Sequence, residues 1–476
     1  MFQQIIFGFL ITLLAILQIF SWIAIGSFFF RFLSIDNKFL RIGFSILIGS
    51  AITATLYSIF AAIRLVTLGI FICMFLSAIA LIYYLFINFT KLKVALKKYK
   101  ILLKENLKIS ILALGVLTFY WIIAIMPPRD GDVMRYHLAH IRQIIIDGGW
   151  EPIFNYCYTF PFGWSFNYLP YEFLGIPQVA HLLNLGLFII TCIILFKLAI
   201  RYASKNVAIL SCLFFLSLPF MLKTATSASA DMYIIFVVAC VSLAIVSMLK
   251  MNKNIYILLG FGAWIGIQSR YQAFIVGTAI TSYMIILLFR KQIKIEAILP
   301  YSIGSVCAII LSSPFYIFNL INFKNPIWPL MIPLFNGLNT YANQVAAKCS
   351  SGIIGSFSIK ILILSIRNLL ISLGTFPIPI LLVFLIIASF IWKTIRIMKL
   401  THFIFLFFLI WIFVQPSLYP RHILIIIIPI IVACTPIINK LINYKLIKKF
   451  IVCLFVIFIL SCIVVDIRYS QEYFQY

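Results

Sequence analysis

Runs of about twenty apolar residues, each closed by a short cluster of lysine and arginine, recur along the whole chain, and no other feature limits its fold as strongly. A helix of that length crosses the hydrocarbon core of a bilayer. Inside that core the backbone has no water to bond, so the runs must be helical. Composition agrees: 64% of the 476 residues are hydrophobic and 10% charged, with mean hydropathy +1.15, against about 25% charged in a soluble domain. A soluble globular protein is excluded. The expectation is an all-α polytopic membrane protein, a transmembrane helix bundle.

Spans are expected near 4–30, 42–62, 66–88, 109–126, 179–197, 206–222, 232–249, 255–268, 273–289, 297–320, 374–392, 401–415, 422–438 and 450–466, about 14 in all. The first run lacks a basic start and is too long for a signal-peptide core, so it is expected to be retained, with the N-terminus outside. Residues 268–272 separate two short spans around Arg270 that could equally form one broken helix. Segment 353–373, carrying Lys360 and Arg367, is expected to lie as an interfacial helix.

A net charge of +26 raises the question of nucleic acid. Its distribution answers it. Loops 31–41, 91–108, 197–205, 250–254, 290–296, 393–400 and 439–449 hold 25 of the 37 basic residues and only Asp36, Glu105 and Glu296 among the acids. That is the asymmetry of cytoplasmic loops. The charge is topological, and no nucleic-acid partner is expected. Eight of the ten cysteines lie in apolar runs, where thiols act as small hydrophobes. Cys157 and Cys349 fall in outer loops, and their spacing leaves a bridge between them open.

Only 11 acidic residues occur in the chain. Carboxylates near a bilayer are expensive and mark function. Asp130, Asp132, Asp147, Glu151 and Glu172 occupy outer loop 127–178, and Asp231 closes loop 223–231. Chemistry is therefore expected on the outer face. After Pro127-Pro128, the residues Met134, Leu138, Ile141 and Ile145 form a stripe at helical spacing that Gly148-Gly149 ends, which predicts an amphipathic helix on the membrane surface. Asp132 then stands at its start. It is either the N-cap or a general base able to take a proton from an acceptor hydroxyl.

His137 and His140, three apart, could join Asp130 and Asp132 around a metal, but no third strong ligand is indicated. A hard divalent cation on Asp130 and Asp132 is the better version of that idea. The sequence requires no cofactor. Trp164, in the aromatic stretch after Tyr156, is a candidate platform for a sugar ring, against the simpler account of an interfacial aromatic belt.

The run Pro-Pro-x-x-x-Asp132-x-x-x-Tyr136-His137-Leu138 resembles the first outer loop of phospholipid-carrier-dependent glycosyltransferases of the GT-C superfamily, which includes aminoarabinose transferases and protein O-mannosyltransferases. Further stretches fit in order. Ser229-Ala230-Asp231-Met232-Tyr233 resembles an acidic motif at a later span, and Gly266-Ile267-Gln268-Ser269-Arg270-Tyr271 an Arg-Tyr element. Asn325-Pro326-Ile327-Trp328-Pro329 resembles a Gly-Asn-Pro-x-x-Pro loop with Lys324 in place of the glycine, and Tyr419-Pro420-Arg421-His422 an Arg-Tyr-x-x-Pro element. The resemblance implies a GT-C-like core from 109 to 476 with catalytic outer loop 127–178, preceded by a three-span addition over 1–108.

It also implies an inverting transfer from a polyprenyl-phosphate-linked sugar donor to a lipid, glycan or protein acceptor, at the extracytoplasmic face of the plasma (inner) membrane. Asp132 and Asp130 would be catalytic. Asp231, Arg421, Arg270, Arg135, Tyr136, His137, Glu172 and Lys324 would bind substrate, the cations facing the leaving phosphate. For the single cations, anchoring among membrane-lipid headgroups is the simpler account; for Asp231 it is an N-cap. Two other classes stay open: a secondary transporter or flippase for a lipid-linked glycan, which would place carboxylates within its spans, and a glycan polymerase or ligase, whose chemistry would lie in loop 321–352.

Overall fold

A computed structural model describes residues 2–105, 107–128, 130–152, 161–218, 221–248, 253–328, 398–414 and 424–442. Among the described residues every regular element is helical. In chain order these are α1 (Phe2–Phe29), α2 (Lys38–Ala62), α3 (Val66–Glu105), α4 (Leu107–Ala124), α5 (Leu138–Ile146), α6 (Leu169–Phe173), α7 (Gln178–Ala199) and α8 (Lys205–Leu216). There follow α9 (Met221–Thr226), α10 (Asp231–Ser247), α11 (Lys253–Ile265), α12 (Ala273–Phe289), α13 (Ile298–Phe323), α14 (Met398–Val414) and α15 (Ile427–Ile442). Predicted spans 374–392 and 450–466, the interfacial segment 353–373, and both Cys157 and Cys349 lie outside the described residues.

Among the described residues five helices are long and apolar enough to cross a membrane. Shorter apolar helices, α10 and α12 among them, coincide with further predicted spans. Segment 91–108, expected as a cytoplasmic loop, is largely helical, because α3 continues past the predicted span end as far as Glu105. Around Arg270 the chain makes two helices. A 3-10 turn over Gly266–Gln268 ends α11, and Arg270 N–H bonds back to the Gly266 carbonyl before α12 begins. Gly277 of α12 lies so close to the Trp264 ring that the two helices run packed against each other.

The chain folds as two compact units. The first comprises Met1–Glu151, Trp164–Phe188 and Lys223–Ser229. Its α1 and α2 meet at glycines: a methyl on Gly26 would overlap the Ser45 carbonyl, and one on Gly49 the Trp22 carbonyl. Such close backbone approach replaces the hydrophobic drive that lipid removes. The outer loop closes over these spans. Trp22 Nε1 donates to Thr53 Oγ1 at 3.1 Å, the Thr53 hydroxyl donates to Asn167 Oδ1 at 2.7 Å, and Tyr171 OH donates to Gln18 Oε1 at 2.8 Å. Trp150 N–H bonds to the Ala61 carbonyl at 2.9 Å. Spans α1 and α2 and the outer loop are thus one packed body.

The second unit comprises Pro152–Gly163, Ile189–Leu222 and Ala230–Tyr476. Its centre is α10, apolar on all sides and buried along its whole length. Helices α11 and α13 cross where Gly260 meets the Tyr301 carbonyl and Gly304 the Ile257 carbonyl. Pro314 inside α13 lacks an amide proton, and the carbonyls it disturbs find side-chain donors instead. Ser313 Oγ donates to Ile310 O at 2.8 Å, and Gln268 Nε2 to Leu311 O at 3.1 Å.

Replacing Gly49 or Gly304 by valine should lower the stability of the purified protein by about 1–3 kcal/mol, the usual range for overpacking. Gly115, with nothing near its Cα to meet a side chain, should accept valine with little change. Thermal unfolding in detergent micelles checks this; equal melting temperatures for all three variants would refute the crossing argument.

Candidate active site

The acidic turn of the outer loop is built by Asp130. The chain is already helical at Gly131, and Asp130 Oδ1 accepts the Asp132 N–H at 3.1 Å, while the Asp130 carbonyl accepts the Met134 N–H at 2.9 Å. The N-cap expectation for Asp132 is therefore corrected. Its backbone is already in the helical region (φ −68°, ψ −40°) and its side chain makes no capping bond; capping falls to Asp130, one residue before the helix. Asp130 is buried, and its carboxylate meets Lys223 Nζ at 3.1 Å.

From Asp132 the helix runs as a π-turn over Val133–His137 before α5, with the Leu138 N–H bonded to the Val133 carbonyl. One wide turn moves the register by a residue. The buried side is Val133, His137, Leu138, His140, Ile141 and Ile144, while Met134 is 40% exposed. The predicted stripe through Met134 is thus corrected at its start, and both histidines turn inward. His137 Nδ1 lies 3.1 Å from Ser165 Oγ. Arg135 is exposed, and the half-buried Tyr136 sets its ring 4.6 Å from that of His137. Gly148 takes φ +65°, the left-handed turn that stops α5.

Glu172 on α6 is held by Arg142 of α5, whose Nε and guanidinium nitrogen reach Oε1 at 2.7 and 2.6 Å. Trp164 is no open sugar platform. Its ring is 1% exposed and 5.3 Å from Trp22, and its Nε1 donates to Asn184 Oδ1 at 3.2 Å. Among the described residues no three His, Cys, Asp or Glu side chains gather where they could hold a metal ion. In the case of Asp130 a lysine ammonium takes up the charge.

Within the second unit, two motif residues far apart in sequence come together. Asp231, first residue of α10, meets Arg270 of the α11–α12 turn, with Arg270 Nε 3.2 Å from Asp231 Oδ1. The side chains are 8% and 13% exposed. The N-cap account of Asp231 is overturned: Ala230 holds that position, and Asp231 is the first residue inside the helix. The contact is an ion pair without hydrogen-bond alignment, so Asp231 Oδ1 and Arg270 Nε both keep unmet bonding capacity. A buried donor in that state favours an incoming anion.

Next to Arg270, Tyr271 OH donates to the Trp328 carbonyl at 2.7 Å, which ties the Arg-Tyr element to the Asn-Pro loop. Asn325 Oδ1 turns that loop by accepting the Ile327 N–H at 3.0 Å. Lys324 ends α13 with φ +55° and an exposed side chain. This left-handed backbone suits glycine, the residue of the resembled pattern. An apolar groove of about 280 Å³ opens on the same unit, lined by Trp264, Ile267, Phe274, Ile309, Tyr316 and Pro326. Arg421 lies outside the described residues. Sequence reasoning missed Lys223 and Asn184; only Lys223's isolation as a cation on the acid-bearing face could have signalled it.

Residues 178–318 match the model of a family described as dolichyl-phosphate-mannose-protein mannosyltransferase. Together with the helical fold and its membrane-capable helices, the match supports a membrane glycosyltransferase, mannosyltransferase-like in family. The match supports a glycosyltransferase of the wider GT-C superfamily, and what the matched family implies in general is a lipid-linked sugar donor and a glycan or protein acceptor. The matched segment holds Asp231 and Arg270 and stops short of Asp132. The chain has no match among curated proteins or solved structures.

Burial, aided by neighbouring His137, pushes the His140 imidazole down to about 3. An unfolded chain would take up that proton below its ordinary value near 6.5, so the folded state loses stability as pH falls from there toward 3. His140→Gln should flatten this acid loss. Melting temperatures of the two proteins between pH 7 and 4 check it, and parallel curves would refute it.

Proposed function

We propose that the protein is an inverting glycosyltransferase that moves a sugar from a polyprenyl-phosphate carrier to an acceptor hydroxyl at the extracytoplasmic face of the plasma membrane. Asp132 takes the hydroxyl proton. The oxygen attacks the anomeric carbon from the face opposite the phosphate, a new glycosidic bond forms as the carbon–oxygen bond to phosphate breaks, and polyprenyl phosphate leaves with the bonding pair. Arg270 meets the charge that develops on the phosphate, a task suited to a preplaced cation in a water-poor site. The apolar groove beside Tyr316 and Pro326 offers the carrier's isoprenoid chain a surface of its own kind.

The observation that carries this reading is the Asp231–Arg270 pair. Each residue stands in a stretch that resembles a GT-C motif, and the two lie 3.2 Å apart inside the segment that matches the mannosyltransferase family. Orientation rests on the basic clusters, which put loop 127–178 on the face opposite most lysines and arginines.

Purified protein incubated with a radiolabelled polyprenyl-phosphate sugar should release free polyprenyl phosphate; a transporter would leave that bond intact. Asp132→Asn should abolish release while the protein still inserts and purifies normally. Near-normal turnover by this variant would remove Asp132 as the base. Arg270→Gln should lower kcat/KM for the donor by about 100-fold, in the range for losing a transition-state charge partner, and an unchanged value would remove Arg270 from the phosphate site.

A further inference from the structure

Two carboxylates stand two residues apart at the start of the outer helix. Like charges that close raise the cost of ionising both, unless a cation stands beside them. Asp130 has such a cation in Lys223, 3.1 Å away, and through the same Oδ1 it holds the Asp132 amide. We propose that Lys223 is the positioning residue of the acidic turn: it neutralises Asp130 and pins the turn, so that Asp132 is the carboxylate kept ionised. The inference rests on Asp132 acting as the base and extends that reading to the part of the chain that makes it competent.

The lysine is itself held in place. It sits in the short helix α9, and the chain just beyond that helix is fixed to α7: Asn184 Nδ2 donates to the Ser227 carbonyl at 2.5 Å and to the Ser229 carbonyl at 2.7 Å. Asn184 Oδ1 accepts in turn from Trp164, so the amide cannot turn over without losing three bonds. Thr224 and Thr226 of α9 are buried. A lysine held only to anchor lipid headgroups would need none of this framework. Its ammonium is directed to a carboxylate inside the fold.

The other charged or titratable groups on the described elements around the turn have the following placements. On the helix itself, Arg135 is exposed, Tyr136 faces His137, His137 lies on Ser165, and His140 is buried next to it. From α6, Glu172 is taken by Arg142. Among the described ion pairs, Lys223 alone supplies positive charge to the acidic turn.

The test reads the charge on Asp132 directly. Carbodiimides modify protonated carboxyls, so labelling of the purified full-length protein in micelles from pH 4 to 8, read by peptide mass spectrometry, gives the pH of half-labelling at Asp132. Lys223→Met should raise that pH by about one unit, and Asp130→Asn, whose amide oxygen can still accept the Asp132 N–H, should lower it. The double variant should return close to the wild-type value, and Lys223→Arg should match it. A merely structural lysine would not produce opposite shifts that cancel.

Half-labelling unmoved in Lys223→Met, or moved the same way in both single variants, overturns the proposal. If Lys223→Met does not survive purification, the downward shift in Asp130→Asn and the match of Lys223→Arg carry the test alone. Failure here is distinct from failure of the base: Asp132→Asn that still transfers sugar would sink the base and leave the labelling result standing.

Discussion

A carboxylate beside a bilayer is expensive unless a neighbouring group compensates it, and that constraint governs how the acids of this protein are held. Asp130 is met by Lys223, Asp231 by Arg270, Glu172 by Arg142 and Glu151 by Arg64. Asp147 is engaged by Gln143 at 2.8 Å. Arg64, Arg142, Lys223 and Arg270 are thus spent on carboxylates, whereas Arg135 and Lys324 stay exposed. The basic excess of +26 thus has two uses: most of it lies in the clusters expected to set topology, and the remainder includes the cations that meet these acids.

How far the fold was legible follows from which forces act locally. Apolar runs in lipid have one backbone solution, so the described helices overlap the runs that hydropathy marks, and at Arg270, where two short spans or one broken helix were open, the chain makes two helices. What hydropathy cannot see is a change of period. The stripe through Met134 assumes 3.6 residues per turn from the first residue, and the π-turn over Val133–His137 breaks that assumption, exposing Met134 and burying His137. Asp130 and Asp132 exchanged capping roles for a similar reason, since a helix that starts at Gly131 needs its cap one residue earlier. Lys223 stood out in the sequence only as an isolated cation, because its partner lies ninety-odd residues away.

Polar residues within the first spans gain a purpose from the same packing. Gln18, Trp22 and Thr53 would be awkward in helices that only crossed lipid. In the folded unit they bond one another and the outer loop, through Tyr171 and Asn167. Each such bond contributes on average about 0.6 kcal/mol in a membrane protein, so no single one secures the loop. Together with the Trp22–Trp164 ring contact at 5.3 Å they fix its aromatic half against two spans. Residues 1–62 are therefore structural support for the loop that bears the acids.

The two ion pairs that involve candidate site residues differ in a way that bears on their use. Asp130 satisfies an amide as well as a lysine, a closed arrangement that holds geometry. Asp231 and Arg270 attract each other without an aligned hydrogen bond. For stability alone such a buried pair is a poor choice, because replacing both partners by apolar residues is often neutral or favourable. Losing one partner, by contrast, leaves a buried charge and is expensive. In the proposed transferase that unmet donor capacity is where the leaving phosphate would bind, taking part of Arg270 while Asp231 keeps the guanidinium from leaving.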